Sequence, residues 1–199
     1  MPHPEVIESP DTKRAQRVPP GQRLVKEWPV LHSGTAQRID SALWSLRIFG
    51  RVEKERELTL KEFLALPMVG VHSDMHCVTT WSLLDNLWEG VGTAEIRRLC
   101  PPLPSAKFVM VHAAGNWTTN LAFEDFFQDD VLLAVSHNGR PLSPEHGAPV
   151  RLVVPRLYFW KSAKWVTALE YADGDRPGFW ESRGYHNRGD PWTEERYSD

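Results

Sequence analysis

Cysteine is nearly absent from this sequence: 199 residues hold two, Cys77 and Cys100. In a reducing compartment such thiols stay free, so each is expected to be a ligand, a nucleophile or core filler rather than half of a disulfide. Long apolar runs are missing too, and nowhere does the chain approach the roughly 20 apolar residues that span a bilayer. Membrane insertion is therefore not expected. The opening MPHPEVIESPDTKRAQ has neither an apolar signal core nor a twin arginine, which points to a soluble, cytoplasmic protein. An excess of one charge is also lacking: 23 Lys and Arg against 26 Asp and Glu leave −3, with no basic run. Nucleic acid is not an expected partner.

What is present is a globular composition, 41% hydrophobic and 25% charged, over a length that suits one domain with a sizeable core. Residues 1–27, with five prolines and many charges, read as an extended N-terminal arm lying on a single domain that occupies 28–199. Five segments read as strands: ALWSLRIFG (42–50), KFVMVHAAG (107–115), VLLAVSHNG (131–139), PVRLVVP (149–155) and KWVTALEYAD (164–173). Asn138-Gly139 marks a hairpin. Thr59 and Glu62 form a capping box, 82–99 has helical spacing up to Pro101 and Pro102, and 123–128 reads as a short helix. Strands outnumber helices without alternating with them, so the expected class is α+β and mostly β. The tail carries Trp180, Tyr185, Trp192 and Tyr197, large apolar groups that fold back onto a domain rather than stay in water.

Cys77 stands in VHSDMHCVTTW. As a lone thiol it reads first as a small buried hydrophobe. A zinc site with His72 and His76 is disfavoured, because adjacent residues of a strand point to opposite faces and no CxxC or HExxH completes a tetrahedral set. A nucleophile would need His112, His137, His146 or His186 as its base. A single thiolate also serves as the only protein ligand of a metal held otherwise by an organic cofactor, provided a cofactor-binding set exists elsewhere.

Four ordered blocks supply such a set: WPVLHSG, HCVTTWS, DDVLLAVSHNGRPLSPEHGAPVRLVVP and KSAKWV. Through them the chain, over residues 28–197, resembles the sulfite oxidase family of molybdopterin-dependent oxidoreductases. The resemblance implies that family's fold, with mixed sheets and a few helices, and a molybdenum held by one pyranopterin dithiolene and by Cys77. It places phosphate and pterin contacts on His146, Arg151 and the turn Ser162-Ala163-Lys164. There an Arg fork, a Lys charge and backbone N–H groups would suit a dianion. His32 falls in a segment that runs along the pterin, and Ala113 and Trp117 border the pocket.

Sulfite-oxidising members carry an arginine four residues after the metal-binding cysteine, where this chain has Trp81. Without that cation an oxyanion substrate loses its strongest bond. The version seen here is similar to the bacterial branch that includes the catalytic subunit of protein-methionine-sulfoxide reductase. The implied activity is two-electron oxygen-atom transfer to or from a small S- or N-centred substrate, with Trp81 beside the metal. Many relatives carry a heme-binding domain and a C-terminal dimerisation domain that are not seen in this sequence, so a separate electron-transfer partner and a monomer are expected. The rival reading is a cofactor-free vestigial domain used as a protein-binding module, which has no need to keep Cys77, His146, Arg151 and Lys164 together.

Overall fold

The computed structural model describes residues 5–31 and 33–198. His32 lies outside them. Among the described residues twelve strands occur in chain order: β1 Val6–Glu8, β2 Arg23–Leu24, β3 Ser45–Gly50, β4 Arg56–Thr59, β5 Val69–Cys77, β6 Trp81–Gly92, β7 Phe108–Ala113, β8 Trp117–Ala122, β9 Leu132–His137, β10 Arg140–Pro141, β11 Arg151–Val153 and β12 Val166–Ala172. Three short helices join them, α1 Leu60–Leu64, α2 Thr93–Leu99 and α3 Phe123–Phe126. The first sheet runs β1-β5-β6-β9-β10, with β11 also on β9 and β2 also on β6; the second runs β4-β3-β12-β7-β8. Both are mixed, since β1 runs parallel to β5 and β3 parallel to β12 while most other pairs are antiparallel. The mostly β, α+β expectation holds.

Successive side chains of a strand face opposite ways, and β9 uses this to feed two cores. Leu133 joins Leu46, Ile48, Val109, Val111 and Leu169 in the larger core, while Leu132 and Ala134 face Val71, Met75, Trp81 and Trp88. Each fully buried side chain of this kind stabilises the fold by about 1.5–3 kcal/mol. The second, smaller core supports the cavity described below.

Local signals act where expected at three places. Thr59 accepts from Glu62 N–H at 3.3 Å while the Glu62 carboxylate accepts from Thr59 N–H at 2.8 Å, closing the capping box of α1. Asn138 and Gly139, at φ 48° and 72°, make the two-residue turn between β9 and β10. Phe123–Phe126 is a short helix.

The helix expected over 82–99 is a correction. Only 93–99 is helical, and 82–92 belongs to β6. Leu83, Leu84, Leu87, Trp88 and Val91 fit helical spacing, but β5 and β9 pair with this segment on both edges. Gly90 shows why the sheet wins: a side chain there would overlap the Leu133 carbonyl of β9.

The N-terminal stretch runs extended over the first sheet and adds β1 and β2 to it. Ser9 Oγ donates to Asp130 at 2.7 Å, and Arg17 grips the buried Asp74 with two nitrogens, at 2.6 and 3.0 Å. At the other end of the chain, Tyr158 N–H donates to the Gly189 carbonyl at 2.7 Å and fastens the aromatic tail to the domain. No described helix is long and apolar enough to cross a membrane.

Candidate active site

Cys77 ends β5 at a tight turn into β6. Thr80 N–H donates to the Cys77 carbonyl at 3.0 Å, and Thr80 takes φ 69° to close the turn. The half-buried Cys77 thiol shares a hydrogen bond with Thr79 Oγ1 at 3.2 Å. Burial pushes the thiol's pKa up, opposed by the Thr79 hydrogen bond and by the charge of Arg196. His76 turns to the other face, where Nδ1 shares a hydrogen bond with Ser82 Oγ at 2.9 Å and the ring meets Trp192 edge-on. His72 sits by Glu8 at 2.8 Å. The three candidate zinc ligands therefore do not converge, and among the described residues no hydrogen bond joins Cys77 to a histidine.

Cys77 faces a cavity of about 310 Å³ whose wall also contains Trp81, Arg151, Ser162, Ala163 and Lys164. With Trp117, which also lines it, seven of the ten residues singled out in the sequence thus meet at one place; Ala113 is not in the wall. Trp81 is 4% exposed, and its indole Nε1 is buried without a partner. His146 stands one layer back: its ring stacks on the wall residue Trp28, with centroids 3.7 Å apart, and its buried Nε2 has no partner among the described residues. Burial, with Arg151 and Lys164 nearby, pulls the His146 pKa down to about 4, so its ring is neutral near pH 7. The neighbours of His32, Leu31 and Ser33, line the cavity.

Arg151 is the most telling of these. It is 1% exposed, and its guanidinium donates only to carbonyl oxygens: His146 at 2.8 Å, Ser162 at 2.8 Å and Leu152 at 3.4 Å. The Phe159 ring lies 4.4 Å away, and no described carboxylate pairs with it. Burial draws its pKa down to about 9. Lys164 likewise donates to the carbonyls of Leu31 and Glu145, each at 2.7 Å, and burial lowers its pKa to about 8. Gly147, at φ +108°, permits the two to approach, since a Cβ there would meet those of Lys164 and Arg151 at 3.0 and 3.1 Å. The described wall holds two cations and no Asp or Glu.

Lys161, three residues before Lys164, is spent differently. It is fully buried against Glu181 at 2.6 Å and donates to the Asn120 carbonyl at 2.8 Å. Ser162 serves mainly as a brace: its N–H goes to Phe159 at 3.2 Å and its Oγ accepts from Val154 N–H at 2.9 Å. The Ala163 carbonyl accepts from Leu152 N–H. Sequence reasoning found Trp117 but missed Trp28, Trp160, Trp165, Trp180 and Tyr185, which complete an aromatic wall. The density of aromatics in the tail was the available signal.

Comparison with known proteins bears on what such a cavity holds. Residues 32–180 match the oxidoreductase molybdopterin binding domain family. The sequence is 45% identical to the oxidoreductase YuiH of Bacillus subtilis over 92% of each chain. It is 27% identical to the protein-methionine-sulfoxide reductase catalytic subunit MsrP of Campylobacter jejuni, over 74% of this chain and 55% of that protein. The chain thus spans about half the length of that relative. The crystal structure of the sulfane dehydrogenase SoxCD from Paracoccus pantotrophus superposes with a TM-score of 0.66 at 25% identity, covering 72% of this chain and 41% of that one. Match, full-length relative and shared fold agree, and the chain belongs to the molybdopterin-binding oxidoreductases of the sulfite oxidase family.

Proposed function

We propose that this enzyme transfers one oxygen atom, and with it two electrons, to or from a small neutral S- or N-centred substrate at a single molybdenum bound by a pyranopterin dithiolene. The observation that carries the reading is Arg151, a buried guanidinium in a cavity wall with no described carboxylate to neutralise it. A terminal phosphate of the pterin would supply the missing charge, received by the planar fork of Arg151 and by Lys164. His146, one layer behind the wall, would support the site through its carbonyl bond to Arg151 and its stacking on Trp28. Cys77 would hold the metal through its thiolate, since a soft sulfur suits such an ion. When bound, the molybdenum and its dithiolene supply the two-electron couple and the point of oxygen transfer.

The chain's own task is binding and exclusion. Trp81, Trp117 and Trp180 add apolar faces to the cavity, which favour a neutral substrate once Arg151 and Lys164 are engaged by the phosphate. In the reducing direction an S-oxide takes up two electrons and two protons and leaves as a sulfide and water; the oxidising direction is the reverse. The relatives named as a sulfoxide reductase subunit and as a sulfane dehydrogenase support sulfur chemistry. The word subunit in the first name also supports a separate electron carrier. Two free cysteines fit a reducing, cytoplasmic setting for a monomer.

A dye-linked assay tests the reaction. Reduced viologen should be consumed with dialkyl sulfoxides or amine N-oxides, and sulfite should be the poorer substrate in the oxidising direction. Sulfite turned over faster than every neutral compound would contradict the substrate assignment. The cofactor-free binding module gives no account of a buried and a half-buried cation, neither paired with a described carboxylate, sharing a wall with a thiol.

A further inference from the structure

The turn that presents Cys77 is held from outside by both ends of the chain. Its first carbonyl, that of Cys77, accepts from the Gln22 side-chain amide at 3.1 Å as well as from Thr80 N–H. The next, that of Val78, accepts from Arg196 Nη1 at 2.8 Å. The last, that of Thr80, accepts from Arg23 N–H at 3.0 Å. A three-residue excursion between strands, Val78 to Thr80, does not need three outside donors in order to fold, because Thr80 N–H already closes it.

Arg196 is placed with unusual care. Its side chain is 15% exposed and lies against the Tyr158 ring, with the guanidinium carbon 5.0 Å from the centroid. Its nearest carboxylate, Glu194, is 3.7 Å away and half exposed, so its charge is only partly compensated. Gly21, at φ +68°, makes room: a Cβ there would come within 3.1 Å of Arg196 Nη2 and 2.8 Å of Glu194 Oε1. The tail is shaped around the same residue, with His186 N–H donating to the Arg196 carbonyl at 3.2 Å.

We infer that Arg196 is a positioning residue for the metal: it locks the Cys77 turn through the Val78 carbonyl and so fixes its positive charge at that turn. The inference rests on Cys77 being the metal ligand. A fixed carbonyl at Val78 fixes the direction of the Sγ, and second-layer contacts of this kind tune a bound metal as strongly as its ligands do. The guanidinium also favours extra negative charge at the sulfur, so it eases reduction of the centre and raises its midpoint potential.

The test uses holoenzyme from a host that makes the cofactor, comparing wild type, Arg196→Gln and Arg196→Lys. Molybdenum and pterin per chain are measured, with the paramagnetic resonance spectrum of the half-reduced metal and the midpoint potential from a redox titration. Arg196→Gln should keep pterin at the wild-type level, because Arg151 and Lys164 are untouched, while its spectrum shifts and its potential falls. Arg196→Lys should restore most of the potential and less of the spectrum, since it returns the charge without the planar fork. A wild-type spectrum and potential in Arg196→Gln would overturn the inference. Should Arg196→Gln not fold, Arg196→Lys decides by the spectrum alone, an unchanged signal counting against the inference. Failure of the underlying reading looks different: wild type lacking molybdenum, or Cys77→Ser retaining it.

Discussion

Arg151 Nη2 donates to the carbonyl oxygen of Ser162 at 2.8 Å, tying a buried cation to a backbone dipole where a carboxylate would be the ordinary partner. A buried charge so weakly compensated destabilises the cofactor-free fold and gains most from a bound anion. Inorganic pyrophosphate added to cofactor-free protein should therefore raise its melting temperature. The gain is about 2.7 kcal/mol at a hundredfold excess over Kd. In Arg151→Met the increment should vanish. The increment is the quantity to compare, because the variant also leaves the His146 and Ser162 carbonyls without a donor. Equal shifts in both proteins would contradict the anion site.

Lys164 gives the site a pH signature. Partial burial, reinforced by Arg151, draws its pKa from the ordinary lysine value down to about 8. Below about 8 the folded protein carries the full penalty of a partly desolvated ammonium, and the penalty is relieved as pH rises toward the unfolded value. In urea titrations of cofactor-free protein, wild type should gain on Lys164→Met as pH is raised from about 8 to about 10. A constant difference would show that Lys164 is not buried as described.

The Lys161–Glu181 pair is expected to behave as a buried ion pair does. Either partner removed alone leaves an uncompensated charge, so Lys161→Met or Glu181→Leu should cost about 3–5 kcal/mol by urea unfolding. The double variant should cost much less than the sum, and additivity would rule out the coupling.

Two glycines separate overlap from strain. Gly90→Ala should destabilise by several times more than Gly139→Ala, because the first puts a methyl against the β9 backbone while the second meets open space at φ +72°. The Gly139 change should cost roughly 1–2 kcal/mol. Calorimetry of the two variants checks the order.

What could be read from the sequence was short in range or carried by rare residues. The capping box at Thr59, the Asn138-Gly139 turn and the lone thiol at Cys77 are each legible within a few residues. The strand over 82–92 was not, because its apolar spacing fits a helix and its conformation is set by β5 and β9. Nothing local distinguishes Lys161 from Lys164 either: only the arrival of Glu181 neutralises one and leaves the other for the cavity. Arg196 reaches Val78 across 118 residues of chain, beyond any spacing rule.

The most direct test of the central claim is elemental analysis for molybdenum and zinc, together with fluorescence of the oxidised pterin released on denaturation. It applies to wild type and Cys77→Ser made in a host that synthesises the cofactor. Equimolar molybdenum and pterin in the wild type, with pterin kept and molybdenum lost in Cys77→Ser, is the expected result. Zinc in place of molybdenum, no pterin at all, or molybdenum retained by Cys77→Ser would contradict it.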